Sequence, residues 1–340
     1  MKSLVGISKS RSSRGNEAHS SRKLEPPYVG CYVIEGNPSA EILSAGPARS
    51  AGAILADLVK ARLTTLVLLT TFVGFFMGER GPVDFALMFH ALAGTALVAA
   101  GAAALNQLLE REYDAKMRRT QNRPLPAGHL EPATVMIFGG VCATAGLIYL
   151  ALVVNLLTSV IGAVTLVSYL FIYTPLKRVT WLNTTVGAVP GALPPLMGWT
   201  AARGELNGEG WALFAILALW QMPHFMSIAW IYRADYAKAG FKMLPVVDPD
   251  GCRTGEQAVS HALALLFVSL CPFVFKMAGE FYLAGALVLG AGYLWFAVQF
   301  LRQLRFAQAG LTLVRARQLF LASIIYLPLL LTVMVLDKMR

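Results

Sequence analysis

The stretch best equipped for chemistry runs from Asn106 to Pro126, directly after an apolar run from Phe85 to Leu105. Asn106, Glu110 and Asp114 are spaced four apart, so on a continuing helix they stack on one face. Two carboxylates and an amide oxygen crowd one another there unless a cation lies between them. Arg118, Arg119 and Arg123 follow, and then Pro124 and Pro126, which stop a helix. An acidic oxygen face beside arginines suits a diphosphate carried by Mg²⁺, which takes one or two carboxylates and fills its shell with phosphate oxygens. Glu112 falls off that face and is left out of the metal set. Arg119 and Arg123, also four apart, can both address the diphosphate with a planar fork that lysine lacks. Arg118 points elsewhere, toward lipid headgroups.

Charge at membrane depth costs about 2.5–3.5 kcal/mol per side chain, so such residues face a cavity. The elements around that cavity must be membrane helices. The chain is 56% hydrophobic and only 14% charged, with a mean hydropathy of +0.58, which excludes an ordinary soluble protein. Its apolar runs predict an all-α polytopic membrane bundle of about nine spans, near 60–79, 84–109, 133–153, 156–174, 183–201, 211–231, 258–277, 281–300 and 318–336. The fifth carries Gly187, Pro190, Gly191, Pro194, Pro195 and Gly198. Such breakers survive in a membrane only against protein or a cavity, so this span is expected to line a chamber.

The net charge of +10 reads as loop bias and not as a nucleic-acid footprint. With an inside N-terminus, 24 of the 29 Lys and Arg residues fall on the cytoplasmic side. The acidic stretch, Lys177, Arg178 and Asp235 fall on that side too, so the central cavity is expected to open inward. Cys31, Cys142, Cys252 and Cys271 are scattered and form neither a zinc pattern nor a disulfide framework. Residues 1–56 read as a disordered N-terminal tail preceding one membrane domain over 57–340. No apolar segment follows Met1, so no secretory signal is expected. The basic, acid-free first fifteen residues keep a mitochondrial address as an alternative to the bacterial cell membrane.

The motifs carry a resemblance. Asn106-x-x-x-Glu110-x-x-x-Asp114-Ala115-x-Met117-x-Arg119-Thr120-x-x-Arg123-Pro124-Leu125 resembles the first aspartate-rich motif of the UbiA superfamily of intramembrane prenyltransferases. Tyr173-Thr174-Pro175-Leu176-Lys177-Arg178, Pro194-Pro195-Leu196-Met197-Gly198-Trp199, and Trp220-Gln221-x-Pro223-His224-Phe225 are similar to the branch that farnesylates protohaem IX. So are Asp235-Tyr236 and Met243-Leu244-Pro245. The resemblance covers roughly residues 57–336. In two places the chain departs from it. Glu110 stands where many relatives carry Asp, and Lys60-Ala61-Arg62 resembles a Lys-Pro-Arg helix entry without its proline, so a less rigid entry is expected.

The resemblance implies farnesyl diphosphate and haem B as substrates, haem O as product, and Mg²⁺ as cofactor. It implies catalytic roles for Asn106, Glu110, Asp114, Arg119, Arg123 and Lys177, the first three as metal ligands. It places Lys60, Arg62, Tyr173, Arg178, His224, Asp235 and Lys238 at the substrates. Asp235 stands where other superfamily members carry two aspartates; it either completes the shell of a single ion or orients Lys238. His224 either contacts the porphyrin, at its iron or a propionate, or handles a proton near the vinyl group. His90 reads as structural. Haem A synthase or oxidase assembly factors are the implied protein partners.

Competing readings are a UbiA-type transferase acting on a quinone precursor or another ring, a transporter, and a simple haem-binding membrane protein. The transporter predicts inverted repeats, which the halves lack. The haem-binding protein has no use for an acidic face beside arginines.

Overall fold

The computed structural model describes residues 50–306 and 309–339. The tail assignment up to residue 49 lies outside them. The first element, α1 (Ala51–Leu58), begins inside the segment assigned to the tail. It is followed by α2 (Ala61–Gly78), α3 (Phe85–Asp114), α4 (Pro132–Tyr149), α5 (Leu156–Val167), α6 (Asn183–Arg203), α7 (Gly208–Ile231), α8 (Cys252–Val268), α9 (Glu280–Arg305) and α10 (Ala309–Leu336). Wider π-type turns extend α4 over Leu150–Val154 and α5 over Ser168–Tyr173.

Eight of the described helical segments are long and apolar enough to cross a membrane. The missing one from the expected nine is α6, long enough at 21 residues but diluted by Pro190, Pro194, Pro195 and its glycines. It is buried along most of its length, among the other helices. Its contact with α2 is made through backbone. A Cβ on Gly74 would stand 1.9 Å from the Pro195 carbonyl oxygen, and one on Gly198 would stand 1.9 Å from that of Thr71. Lipid tails are as apolar as Leu, so membrane helices associate by close packing of small residues of this kind.

The larger apolar core gathers α7, α8, α9 and α10 with parts of α2 and α6, around Trp220, Tyr282 and Phe300. Two boundaries differ from the hydropathy reading. The seventh span starts at Cys252, not near 258, because its first turns are polar. They are anchored by Asp248, whose Oδ2 accepts from Thr254 N at 2.8 Å and Thr254 Oγ1 at 2.9 Å. It also breaks after Val268 and resumes over Cys271–Val274. The last helix starts at Ala309, well before 318, because Arg315 and Arg317 hide its first turns from a hydropathy window.

Candidate active site

Helix α3 continues past its apolar part to Asp114, so the four-residue spacing acts as expected. Asn106, Glu110 and Asp114 are 0%, 5% and 1% exposed, whereas the Glu112 side chain is 74% exposed and lies 3.7 Å from Arg111. Each of the three buried oxygen groups holds a cation from a different segment. Lys60 Nζ donates to Asn106 Oδ1 at 2.6 Å, Lys177 Nζ to Glu110 Oε1 at 2.7 Å, and Arg123 to Asp114 Oδ2 at 2.7 Å. Buried carboxylates need such partners, since an unpaired charge in a low dielectric is strongly unfavourable.

Local structure delivers each cation. Lys60 is in the left-handed region (φ 49°) between α1 and α2, which makes a sharp corner just before Ala61, the position where Lys-Pro-Arg would have proline. Gln107, one residue past Asn106, fixes that corner by donating to the Asp57 and Leu58 carbonyls, both at 2.8 Å. Lys177 sits just beyond the wide π-type turns that carry Tyr169 and Tyr173, a kind of irregularity frequent at functional sites. Arg123 arrives by reversal of the chain. The helix ends at Asp114, the Thr120 hydroxyl donates to the Asp114 carbonyl at 2.8 Å, and buried Met117 anchors the turn against Ala229, Phe241 and Met243.

That reversal separates Arg119 from Arg123. They share no helix face, because no helix runs through them. Arg119 is exposed, stacked on the rings of Tyr232 and Tyr236 at 5.6 and 5.9 Å, and bonded to the Tyr236 hydroxyl at 3.3 Å. Arg118 is exposed, as expected. Arg178 bonds the Tyr113 hydroxyl at 2.7 Å on the same rim. Lys242 N donates to the Lys177 carbonyl at 2.7 Å, tying the loop after α5 to the loop after α7. Asp235 is half-buried, and among the described residues it enters no ion pair with Lys238 or any other cation. Lys238 and Arg62 are exposed and are not brought into the cluster.

Two further residues join the cluster, Tyr169 and Thr174, neither of which was assigned a role at the site from sequence. The Tyr169 hydroxyl accepts from Lys60 at 3.3 Å, and the Thr174 hydroxyl accepts from Asn106 Nδ2 at 3.1 Å, which orients the amide oxygen toward Lys60. Burial, with Arg123 next, pulls the Lys60 ammonium down to about 7. Burial also opposes the Lys177 charge, but the Glu110 carboxylate overrides it and holds that ammonium raised.

Beyond the cations lies a largely apolar cavity of about 310 Å³, lined among others by Lys60, Lys177, Tyr169, Tyr173, Trp220 and His224. The expectation that α6 walls a chamber is met by Gly187, Pro190, Gly191 and Pro194 in that lining. Gly187 has a specific reason to lack a side chain. A Cβ there would come within 2.4 Å of the Tyr173 ring. His224 stacks on Trp220, with ring centroids 4.9 Å apart. His90 instead bonds the Tyr149 hydroxyl at 2.6 Å between α3 and α4, a packing role.

The donor set suits Mg²⁺: oxygen only, two carboxylates and an amide on one buried helix face. Among the described residues no group of three or more His, Cys, Asp and Glu could hold a metal. An ion here would therefore rely on Asn106 and on ligand oxygens to complete its shell.

Residues 67–324 match the UbiA prenyltransferase family. The chain is 50% identical to a protoheme IX farnesyltransferase of Solibacter usitatus, over 83% of this chain and 97% of that protein. It is 47% identical to one of Koribacter versatilis, over 83% and 92%. The fold resembles that of a digeranylgeranylglyceryl phosphate synthase structure, with a TM-score of 0.70 and 15% identity, over 84% of this chain and 97% of that one. A UbiA homolog from Archaeoglobus fulgidus bound to GPP and Mg²⁺ gives a TM-score of 0.58 at 17% identity, over 83% and 99%. At that identity the two structural likenesses speak for the fold alone.

Proposed function

The chain belongs to the UbiA prenyltransferase family, and we infer that it transfers the farnesyl group of farnesyl diphosphate to a vinyl group of protohaem IX, giving haem O. Two relatives named protoheme IX farnesyltransferase, matched over nearly their whole length, support that substrate pair. One structural observation carries the reading. A single cavity is lined both by the cations paired with Asn106 and Glu110 and by the Trp220–His224 stack. A diphosphate at one group of residues and a flat aromatic ring at the other share one dry space.

Mg²⁺, held by Asn106, Glu110 and Asp114, would supply positive charge against the diphosphate oxygens and so ease departure of the leaving group. The residues of the chain do the rest. Lys177 and Arg123 pass from their carboxylate partners, and Lys60 from the Asn106 amide, to the arriving diphosphate, and Arg119 addresses it from the rim. Their charge stabilises the diphosphate as its bond to farnesyl C1 breaks and the electron pair leaves with oxygen. The vinyl π pair forms the new carbon–carbon bond, and water adds to the remaining cation and releases a proton. Apolar walls keep bulk water from the allylic cation until then. No protein nucleophile takes part.

The protein is a multi-pass integral membrane protein. We place it in a bacterial inner membrane, and the Lys and Arg distribution supports a cytoplasmic N-terminus and cavity mouth. Haem A synthase or an oxidase assembly factor is the expected recipient of the product. The reading is tested by incubating membranes containing the protein with farnesyl diphosphate and either haem B or a quinone precursor. Product masses are expected to show prenylated haem and no prenylated quinone precursor; the reverse overturns the acceptor assignment.

A further inference from the structure

The last helix, α10, carries no recognisable motif, yet one of its side chains controls His224. His224 Nδ1 lies 2.7 Å from the hydroxyl of Ser323, which is fully buried. The same hydroxyl donates to the Phe320 carbonyl at 2.5 Å. A serine hydroxyl has a single proton, and a carbonyl can only accept. Of the contacts that one proton can serve, the Phe320 carbonyl is the shortest, and with the proton there the Ser323 oxygen accepts toward His224. That arrangement puts the hydrogen on Nδ1 and leaves Nε2 of the neutral ring a bare lone pair.

The ring is also held in plane. Trp220 stacks on one side at 4.9 Å, the Phe320 ring lies at 5.2 Å, and Trp220 Nε1 is itself bonded to the Ser323 carbonyl at 2.9 Å. Ser323 thus anchors both members of the stacked pair. Among the described residues no hydrogen-bond partner of Nε2 is present, and His224 lines the cavity. A lone pair cannot donate to a propionate. Imidazole whose other nitrogen donates to a fixed acceptor is the usual arrangement of a metal-ligating histidine.

We propose that Ser323 is a positioning residue that locks His224 in the Nδ1–H tautomer, and that His224 Nε2 ligates the iron of the porphyrin substrate and so sets its orientation in the cavity. This rests on haem B being the acceptor. The test is the spectrum of purified full-length protein titrated with haem B, followed by optical absorption and by resonance Raman of the ferrous form. The wild type is expected to show an iron–histidine signature, lost in His224→Ala and restored by added imidazole. Ser323→Ala is expected to weaken haem binding about 10- to 100-fold, with Ser323→Thr, which keeps the hydroxyl, close to wild type. A wild-type haem complex lacking the iron–histidine signature overturns the proposal, as does a His224→Ala complex that retains it. If the wild type neither binds haem nor makes haem O, the acceptor reading itself has failed. Haem O production by a wild type without that signature leaves the acceptor reading intact and removes only the ligand.

Discussion

Lys177 Nζ and Glu110 Oε1 lie 2.7 Å apart, with side chains only 14% and 7% exposed. This pair joins the loop after α5 to the middle of the acidic face of α3, flanked by the Arg123–Asp114 ion pair on one side and by Lys60 on the Asn106 amide on the other. Three cations thus face two carboxylates before any ligand arrives, which lets both carboxylates be buried at the end of a membrane helix. Ligand binding then exchanges partners, the cations turning toward the diphosphate.

From this pairing follows a non-additive mutant cycle. Lys177→Ala leaves Glu110 buried without its cation and is expected to lower stability by about 2–3 kcal/mol. The Lys177→Ala/Glu110→Ala double variant recovers part of that loss. Thermal unfolding in detergent measures both, and strictly additive losses would contradict the pair.

The metal assignment rests on Glu110 and Asp114 as oxygen donors. Glu110→Gln and Asp114→Asn, which keep shape but remove charge, are each expected to reduce haem O formation at least 100-fold, the range found when one electrostatic stabiliser is deleted. EDTA should stop the wild-type reaction and Mg²⁺ restore it. Product yield measured by chromatography decides, and full activity in EDTA would remove the metal from the account.

The two arginines should behave differently. Arg123 holds buried Asp114, whereas Arg119 lies in the open on two tyrosines. Arg123→Gln is expected to cost at least tenfold more in kcat/KM for farnesyl diphosphate than Arg119→Gln. Equal losses, or the opposite order, would mean that the reversal of the chain after Asp114 is not the working geometry.

Gly187→Ala pushes a methyl group into the Tyr173 ring. Because Tyr173 lines the cavity beside Lys177, KM for farnesyl diphosphate is expected to rise several-fold at a stability cost of about 1–3 kcal/mol. Gly198→Ala instead meets the backbone of α2, which cannot rotate away. It should reduce folded protein recovered from membranes, and recovery at wild-type levels would argue against the close α2–α6 contact.

The sequence revealed what is local to one element. Asn106, Glu110 and Asp114 could be read as a face because they lie on one helix and its period is fixed. The inner position of α6 could be read from prolines that lipid would not tolerate. Contacts between elements were not legible. Nothing in the spacing pairs Lys60 with Asn106 across 46 positions, or Ser323 with His224 across 99. Arg119 and Arg123 were placed together by a helical period that stops at Asp114, where the Thr120 hydroxyl closes a turn instead. The polar first turns of α8 and α10 were invisible to hydropathy because their ends lie outside the apolar layer.

The most direct measurement is mass spectrometry of the haems extracted from a bacterial strain that lacks its own enzyme for this step and expresses this chain or its Asp114→Ala variant. Haem O in cells with the wild type, and haem B alone in cells with an equal amount of the folded variant, is the predicted result. No haem O from the wild type, or the same amount from Asp114→Ala, would contradict it.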